Sequence, residues 1–167
     1  MLTLAVILLV LSLLAATTAA ARPHPNPRVE TAQQLNRGLA GTPMAGLGWI
    51  LEAEGHRAGV HPAFIAAVAG VESSFGAAHC TQNTYWVFGL GSCARSWTPP
   101  YFTSWRQAIR YQARFLHDRW IAKGARDPWT IGRTYCPPCG NRWGDKIAHF
   151  MGRLGFPAAV TYRKGAA

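Results

Sequence analysis

The stretch IAAVAGVESSFGAAHC, Ile65 to Cys80, is a run of small and apolar residues that carries one carboxylate, Glu72, and then breaks at Ser73, Ser74 and Gly76. Upstream, Pro62 suits the first position of a helix. Phe64, Val68, Val71 and Phe75 fall at helical spacing, a stripe that Ile65 widens and Gly76 ends. Glu72 borders that stripe in the last turn, where the helix dipole opposes a negative charge. Partial burial works in the same direction, so both effects favour the neutral acid. A raised, half-buried glutamic acid is what a glycosidase needs to protonate a leaving oxygen. The bland alternative is a glutamate reaching into solvent from a helix end.

The remaining acids are few: Glu30, Glu52, Glu54, Asp118, Asp127 and Asp145. None lies between Glu72 and Asp118, so the segment after the Glu72 helix supplies no second carboxylate. An ordinary two-carboxylate site would need Glu52, Glu54 or Asp118 to fold back on Glu72. His56, His61, His79, His117 and His149 lack metal-ligand spacing, and neither a metal nor a cofactor is expected.

Around the Glu72 helix the pattern is mostly helical. A helix is expected to start at Thr42-Pro43 and run through MAGLGWILEAEGHR. Residues 81–101, TQNTYWVFGLGSCARSWTPPY, are rich in Thr, Gly, Pro and aromatics and suggest a short irregular β-hairpin and loop. Trp86, Trp97 and Tyr101 in it are candidates to stack on sugar rings, or to fill space beneath a disulfide. TSWRQAIRYQARFLHDRWIAKG is the clearest helix. Ser104 and Gln107 form a capping box, and Trp105, Ile109, Phe115, Leu116 and Trp120 line its core face. Asp127-Pro128 opens a short helix, and a last one carries Ile147, Phe150, Met151 and Leu154. The fold class is therefore mostly α, a helical domain with a small β-hairpin beside a cleft.

The 167 residues suggest one domain. Residues 1–21 read as a secretory signal peptide, with an apolar stretch from Leu4 to Leu14 and an Ala-x-Ala site at Ala19 to Ala21. Its first residues lack Lys and Arg, and an uncleaved N-terminal anchor is the alternative. Residues 22–40 begin RPHPNPRVE and read as a Pro-rich tether, residues 41–157 as the domain, and 158–167 as a loose tail. A formal net charge of +10, from 14 Arg and 3 Lys, favours anionic partners, and for an exported chain these are cell-wall polymers or membrane surfaces. Nothing resembles a nucleic-acid-binding motif, and a monomer is expected. Cys80, Cys93, Cys136 and Cys139 suggest two disulfides, most locally Cys80–Cys93 and Cys136–Cys139. A redox motif or half a zinc site at CPPC are the alternatives.

AAVAGVESSFG resembles the catalytic-helix motif of the lysozyme-like superfamily, in which an apolar helix ends in Glu-Ser. NTYWVFGLGS, Asn83 to Ser92, resembles a segment of the bacterial endo-β-N-acetylglucosaminidases and, less closely, one of the lytic transglycosylases. FTSWRQAIRYQARFL is similar to the helix that follows in these proteins, and TYCPPCGNRWGDKIAHFMGRL resembles the ending of the glucosaminidase family, so in the family's order the resemblance covers roughly residues 45–155. It implies a secreted enzyme that cuts β-1,4 bonds in peptidoglycan glycan strands. Glu72 would be the general acid/base and Tyr135 would face the reaction centre. Ser73, Asn83 and Phe88 would contact substrate, and Gly89 and Leu90 would wall the cleft. Three departures matter. Ser92 stands where the transglycosylases have Gln, Tyr135 is followed by Cys-Pro-Pro, and the hairpin acid of many glucosaminidases is missing. In lytic transglycosylases the substrate's own N-acetyl and 6-hydroxyl groups replace missing protein groups. The competing reading is a non-catalytic, basic, wall-binding protein on the same fold.

Overall fold

The computed structural model describes residues 26–78, 85–89 and 102–161. Six α-helices account for most of these: α1 Pro27–Gly38, α2 Gly48–Ala58, α3 Pro62–Ser73, α4 Trp105–Arg119, α5 Pro128–Tyr135 and α6 Asn141–Arg153. Two short 3₁₀ turns, Ile121–Lys123 and Pro137–Cys139, follow α4 and α5. No strand occurs among the described residues, and Tyr85 to Gly89 run as irregular chain. The expected β-hairpin is thus unsupported there, and the rest of its span lies outside the described residues.

Helix α3 is the centre of the molecule. His61 caps it, its Nδ1 accepting from the Ala63 N–H at 3.2 Å, and Pro62 occupies the first position. Every residue from Pro62 to Gly70 is buried, so α3 is apolar on all sides rather than striped. Val71, expected in the stripe, is only half-buried. The helix stops at Ser73, because Ser74 and Phe75 already have φ of 51° and 60°, ahead of the expected stop at Gly76. Helices α2, α4 and α6 surround α3.

The chain from Pro27 to Gly38 is a helix and not a tether. Asn26 caps it by accepting from the Arg28 N–H at 3.0 Å, and Ala32 and Leu35 are fully buried. Three groups fix it to the rest of the chain. Asn36 Oδ1 accepts from the Gly48 N–H at 2.7 Å, and Arg28 makes a two-pronged bond to Glu52 at 2.6 and 3.1 Å. Gln34 donates to the carbonyls of Leu154 and Gly155 beyond α6. The close crossing of α1 and α2 depends on Gly48, since any Cβ there would collide with the Ala32 carbonyl.

Helix α2 starts at Gly48, later than expected. Thr42 does cap locally, accepting from the Met44 N–H at 3.2 Å, but residues 43–47 form turns. Glu54 on α2 has no exposed side-chain surface and is gripped by three arginines. Arg57 comes from α2 itself, Arg106 from α4 at 2.8 Å, and Arg110 from α4 through two bonds at 3.0 and 3.2 Å. Burial works to raise the Glu54 pKa, but the bonds from Arg110, Arg106 and Arg57 prevail and hold it at about 2. This cluster clamps α2 to α4.

Ser104 caps α4 as expected, accepting from the Gln107 N–H at 3.3 Å. The return half of the box is shifted: Gln107 Oε1 accepts from the backbone and hydroxyl of Thr103, at 3.0 and 2.8 Å. The face of α4 that enters the core is Ala108, Ile109, Gln112, Ala113 and Leu116. Trp105, Phe115 and Trp120 are half-buried on its flank rather than in the core. Asp127 caps α5 through Thr130, at 2.8 Å from each of its oxygens. Cys136 and Cys139 form a disulfide that closes the turn between α5 and α6, so neither is free to ligate zinc. Helix α6 then lies against both α5 and α3, burying Trp143, Ile147 and Met151.

Candidate active site

Glu72 is half-buried at the end of α3 and faces a cavity of about 730 Å³. Tyr135, Cys136 and Cys139 form one wall, and Arg142, Trp143 and Lys146 of α6 form another. Trp143 Nε1 donates to Glu72 Oε1 at 3.2 Å. Burial raises the Glu72 pKa, while the Trp143 hydrogen bond and the Lys146 charge pull against it without cancelling it. The carboxyl is therefore biased towards its neutral form, as its place at an apolar helix end predicts.

Tyr135 stands beside the acid. Its ring stacks on Trp143, with centroids 4.6 Å apart and planes at 28°, and its hydroxyl donates to the Phe88 carbonyl at 3.2 Å. Burial, with the Glu72 charge adding to it, pushes the phenol pKa well up, so Tyr135 stays a neutral donor. Gly89 closes the other side. Its φ is +77°, and a Cβ there would run into the Glu72 carboxyl, so only glycine lets the backbone pass so close. The sequence expectations for Glu72, Tyr135 and Gly89 thus meet in one place.

Three expected substrate contacts do not. Ser73 is buried, and its hydroxyl donates to the Val87 carbonyl at 2.7 Å while accepting from the Gly76 N–H at 2.8 Å. It ties the end of α3 to the irregular segment and has no surface to offer a ligand. Trp86 is also buried. Its Nε1 donates to the Gly89 carbonyl at 2.7 Å and its ring meets Phe88, Phe102 and Tyr111, so it supports Gly89 and is no exposed sugar platform. Phe88 contributes its carbonyl to Tyr135 while its side chain is fully buried. Asn83, Leu90, Ser92, Trp97, Tyr101, Cys80, Cys93 and His79 lie outside the described residues.

The cavity also contains residues to which sequence reasoning gave no role: Arg142, Trp143 and Lys146. Trp143 lies four residues before Ile147 and eight before Met151, in phase with the buried face of α6, and that phase was the available signal.

The question of a second carboxylate has a definite answer, because all seven acids of the chain are among the described residues. Glu52 is bound by Arg28 and Glu54 by three arginines. Asp118 meets His117 at 2.8 Å, Asp127 caps α5, and Asp145 accepts from Trp129 Nε1 at 2.8 Å. Glu30 sits in the first turn of α1. None of these six lines the Glu72 cavity. Nor, among the described residues, do three or more His, Cys, Asp or Glu side chains gather in a way that could hold a metal ion. The site is one acid, one phenol, one indole and two cationic side chains around a half-open space.

No protein-family model matches the chain, and no curated protein matches it in sequence.

Proposed function

We propose that the chain cuts β-1,4 glycosidic bonds of peptidoglycan glycan strands, with Glu72 as the general acid/base. One observation carries this: a half-buried carboxyl with a raised pKa, held by a single tryptophan N–H, at the wall of a cavity large enough for sugar units. Glu72 gives its proton to the glycosidic oxygen as the bond from that oxygen to C1 breaks, which leaves an oxocarbenium-like sugar. No protein carboxylate is placed to act as nucleophile or to activate water on the opposite face. The placement of the seven acids therefore favours assistance by the substrate. Its N-acetyl oxygen closes on C1, and its 6-hydroxyl then displaces that oxygen while Glu72 takes back the hydroxyl proton, giving a 1,6-anhydro end. Tyr135 holds the Phe88–Gly89 backbone against the site and presents its phenol oxygen to the developing cation.

The same acid count is the specific observation behind a second reading, a basic wall-binding protein without catalysis. Purified residues 22–167 separate the two. They are expected to clear a peptidoglycan suspension, and a chain that binds the suspension without clearing it establishes the second reading. Anhydro-muramyl ends on the released fragments identify a lytic transglycosylase, and reducing N-acetylglucosamine ends a glucosaminidase.

A further inference from the structure

Tyr135 borders the hollow that holds Glu72. Tyr135 also lines a smaller hollow of about 230 Å³ with Phe115, Arg119 and Trp120. Phe115 and Arg119 in turn line a groove of about 820 Å³ along α4, with Arg110, Tyr111, Arg114 and Lys123. Aromatic rings follow the same course. From Trp143 through Tyr135, Trp120 and Phe115 to Tyr111, successive centroids are 4.6, 5.4, 5.3 and 6.4 Å apart. Tyr111 at the far end is 41% exposed.

Cations accompany the rings. Arg110 is committed to Glu54, but the side chains of Arg114, Arg119 and Lys123 make no hydrogen bond or ion pair among the described residues. The one acid in the groove, Asp118, meets His117. Packing alone does not call for three unpaired cations around a half-exposed aromatic strip. A ligand with flat apolar faces and regularly spaced anions does, because sugar faces stack on aromatic rings and carboxylates pair with guanidinium groups.

We propose that the α4 groove holds the uncut continuation of the glycan strand whose bond lies at Glu72. Its sugar faces rest on Tyr111 and Phe115, and the carboxylates of its peptides, or of lactyl groups that carry no peptide, meet Arg114, Arg119 and Lys123. The proposal rests on the reading of Glu72 as the acid of a glycan-cutting site. It adds that the enzyme takes long, carboxylate-bearing strands in preference to short pieces.

The test is co-sedimentation of the full chain, carrying Glu72→Gln to prevent cutting, with peptidoglycan stripped of phosphate polymers. Adding Arg114→Ala, Arg119→Ala and Lys123→Ala together is expected to weaken binding about tenfold at low salt. The difference should vanish when the peptidoglycan carboxylates are amidated. Unchanged affinity in the triple variant, or a difference that survives amidation, overturns the proposal. With Glu72 intact, the triple variant should lose more kcat/KM on polymeric strands than on a soluble tetrasaccharide, and equal loss on both overturns it as well. A wild-type chain that cuts no strand would refute the Glu72 reading instead, an outcome on which the sedimentation result does not depend.

Discussion

Replacing Gly89 by alanine tests how closely the backbone must pass the acid. At φ of +77° an alanine costs about 1–2 kcal/mol in backbone strain. The new Cβ would also lie 2.9 Å from Glu72 Cδ and 3.0 Å from Cγ, and closer still to Oε2. Ordinary contact begins at 3.4 Å, so the carboxyl must move by about half an ångström to clear the Cδ contact, and by more to clear Oε2. Misplacement approaching 1 Å costs about a hundredfold in rate. Gly41→Ala is the control, because Gly41 has φ of +75° with nothing within 4 Å of its would-be Cβ. Both variants should lose about 1–2 kcal/mol in urea unfolding. Only Gly89→Ala should lose about a hundredfold in the rate of clearing a peptidoglycan suspension. Clearing by Gly89→Ala at the rate of Gly41→Ala would refute the close approach as a functional constraint.

Other outcomes follow from the same geometry. Ser73→Ala should destabilise the fold by about 1–3 kcal/mol in denaturant unfolding, because it takes the hydroxyl donor from the buried Val87 carbonyl; unchanged stability with a raised KM would point back to a substrate contact. Glu54→Gln should cost about 2 kcal/mol at pH 7, a figure reduced from that of a fully buried pair because its arginines are about half-exposed. Since the folded pKa of Glu54 is depressed from 4.5 to about 2, its contribution is present above the unfolded value and is lost as pH falls towards 2. The gap between wild type and variant should close over that window in acid titration of unfolding. For Glu72 the sign is opposite. Its folded pKa is raised, so the stability it contributes is present below the unfolded value and lost as pH rises through the folded one. Glu72→Gln should therefore be more stable than wild type at pH 7 in urea unfolding, and the wild-type cutting rate should fall as pH rises through the same raised pKa.

The central helix and its acid were legible because their signals are local. Pro62 marks the start, the unbroken apolar run marks a buried element, and Glu72 falls at its end. The caps at Ser104 and Asp127 were legible for the same reason. Helix α1 was not, because PRVETAQQLNRG has too few apolar residues for a stripe. What holds it is a close crossing over Gly48, an Asn36 side chain and an Arg28–Glu52 pair, all long-range contacts that hydropathy does not register. Glu54 reads only as an acid on its own helix, and its role comes from two arginines on α4, more than fifty residues away. Trp86 shows the limit for aromatics. Its loop composition suggested a sugar platform, but burial depends on Phe88, Phe102 and Tyr111 arriving around it. The pairing of Glu72 with Trp143 and Tyr135 joins distant parts of the chain, and only the family resemblance carried by residues 134–154 anticipated Tyr135.

The most direct test of Glu72 as the acid of a glycan-cutting site is mass spectrometry of the fragments released from purified peptidoglycan by wild type and by Glu72→Gln, with circular dichroism confirming that both are folded. Wild type should release fragments with anhydro-muramyl ends, and the folded Gln variant should release none. Equal release of fragments by the folded Gln variant would contradict the assignment of Glu72.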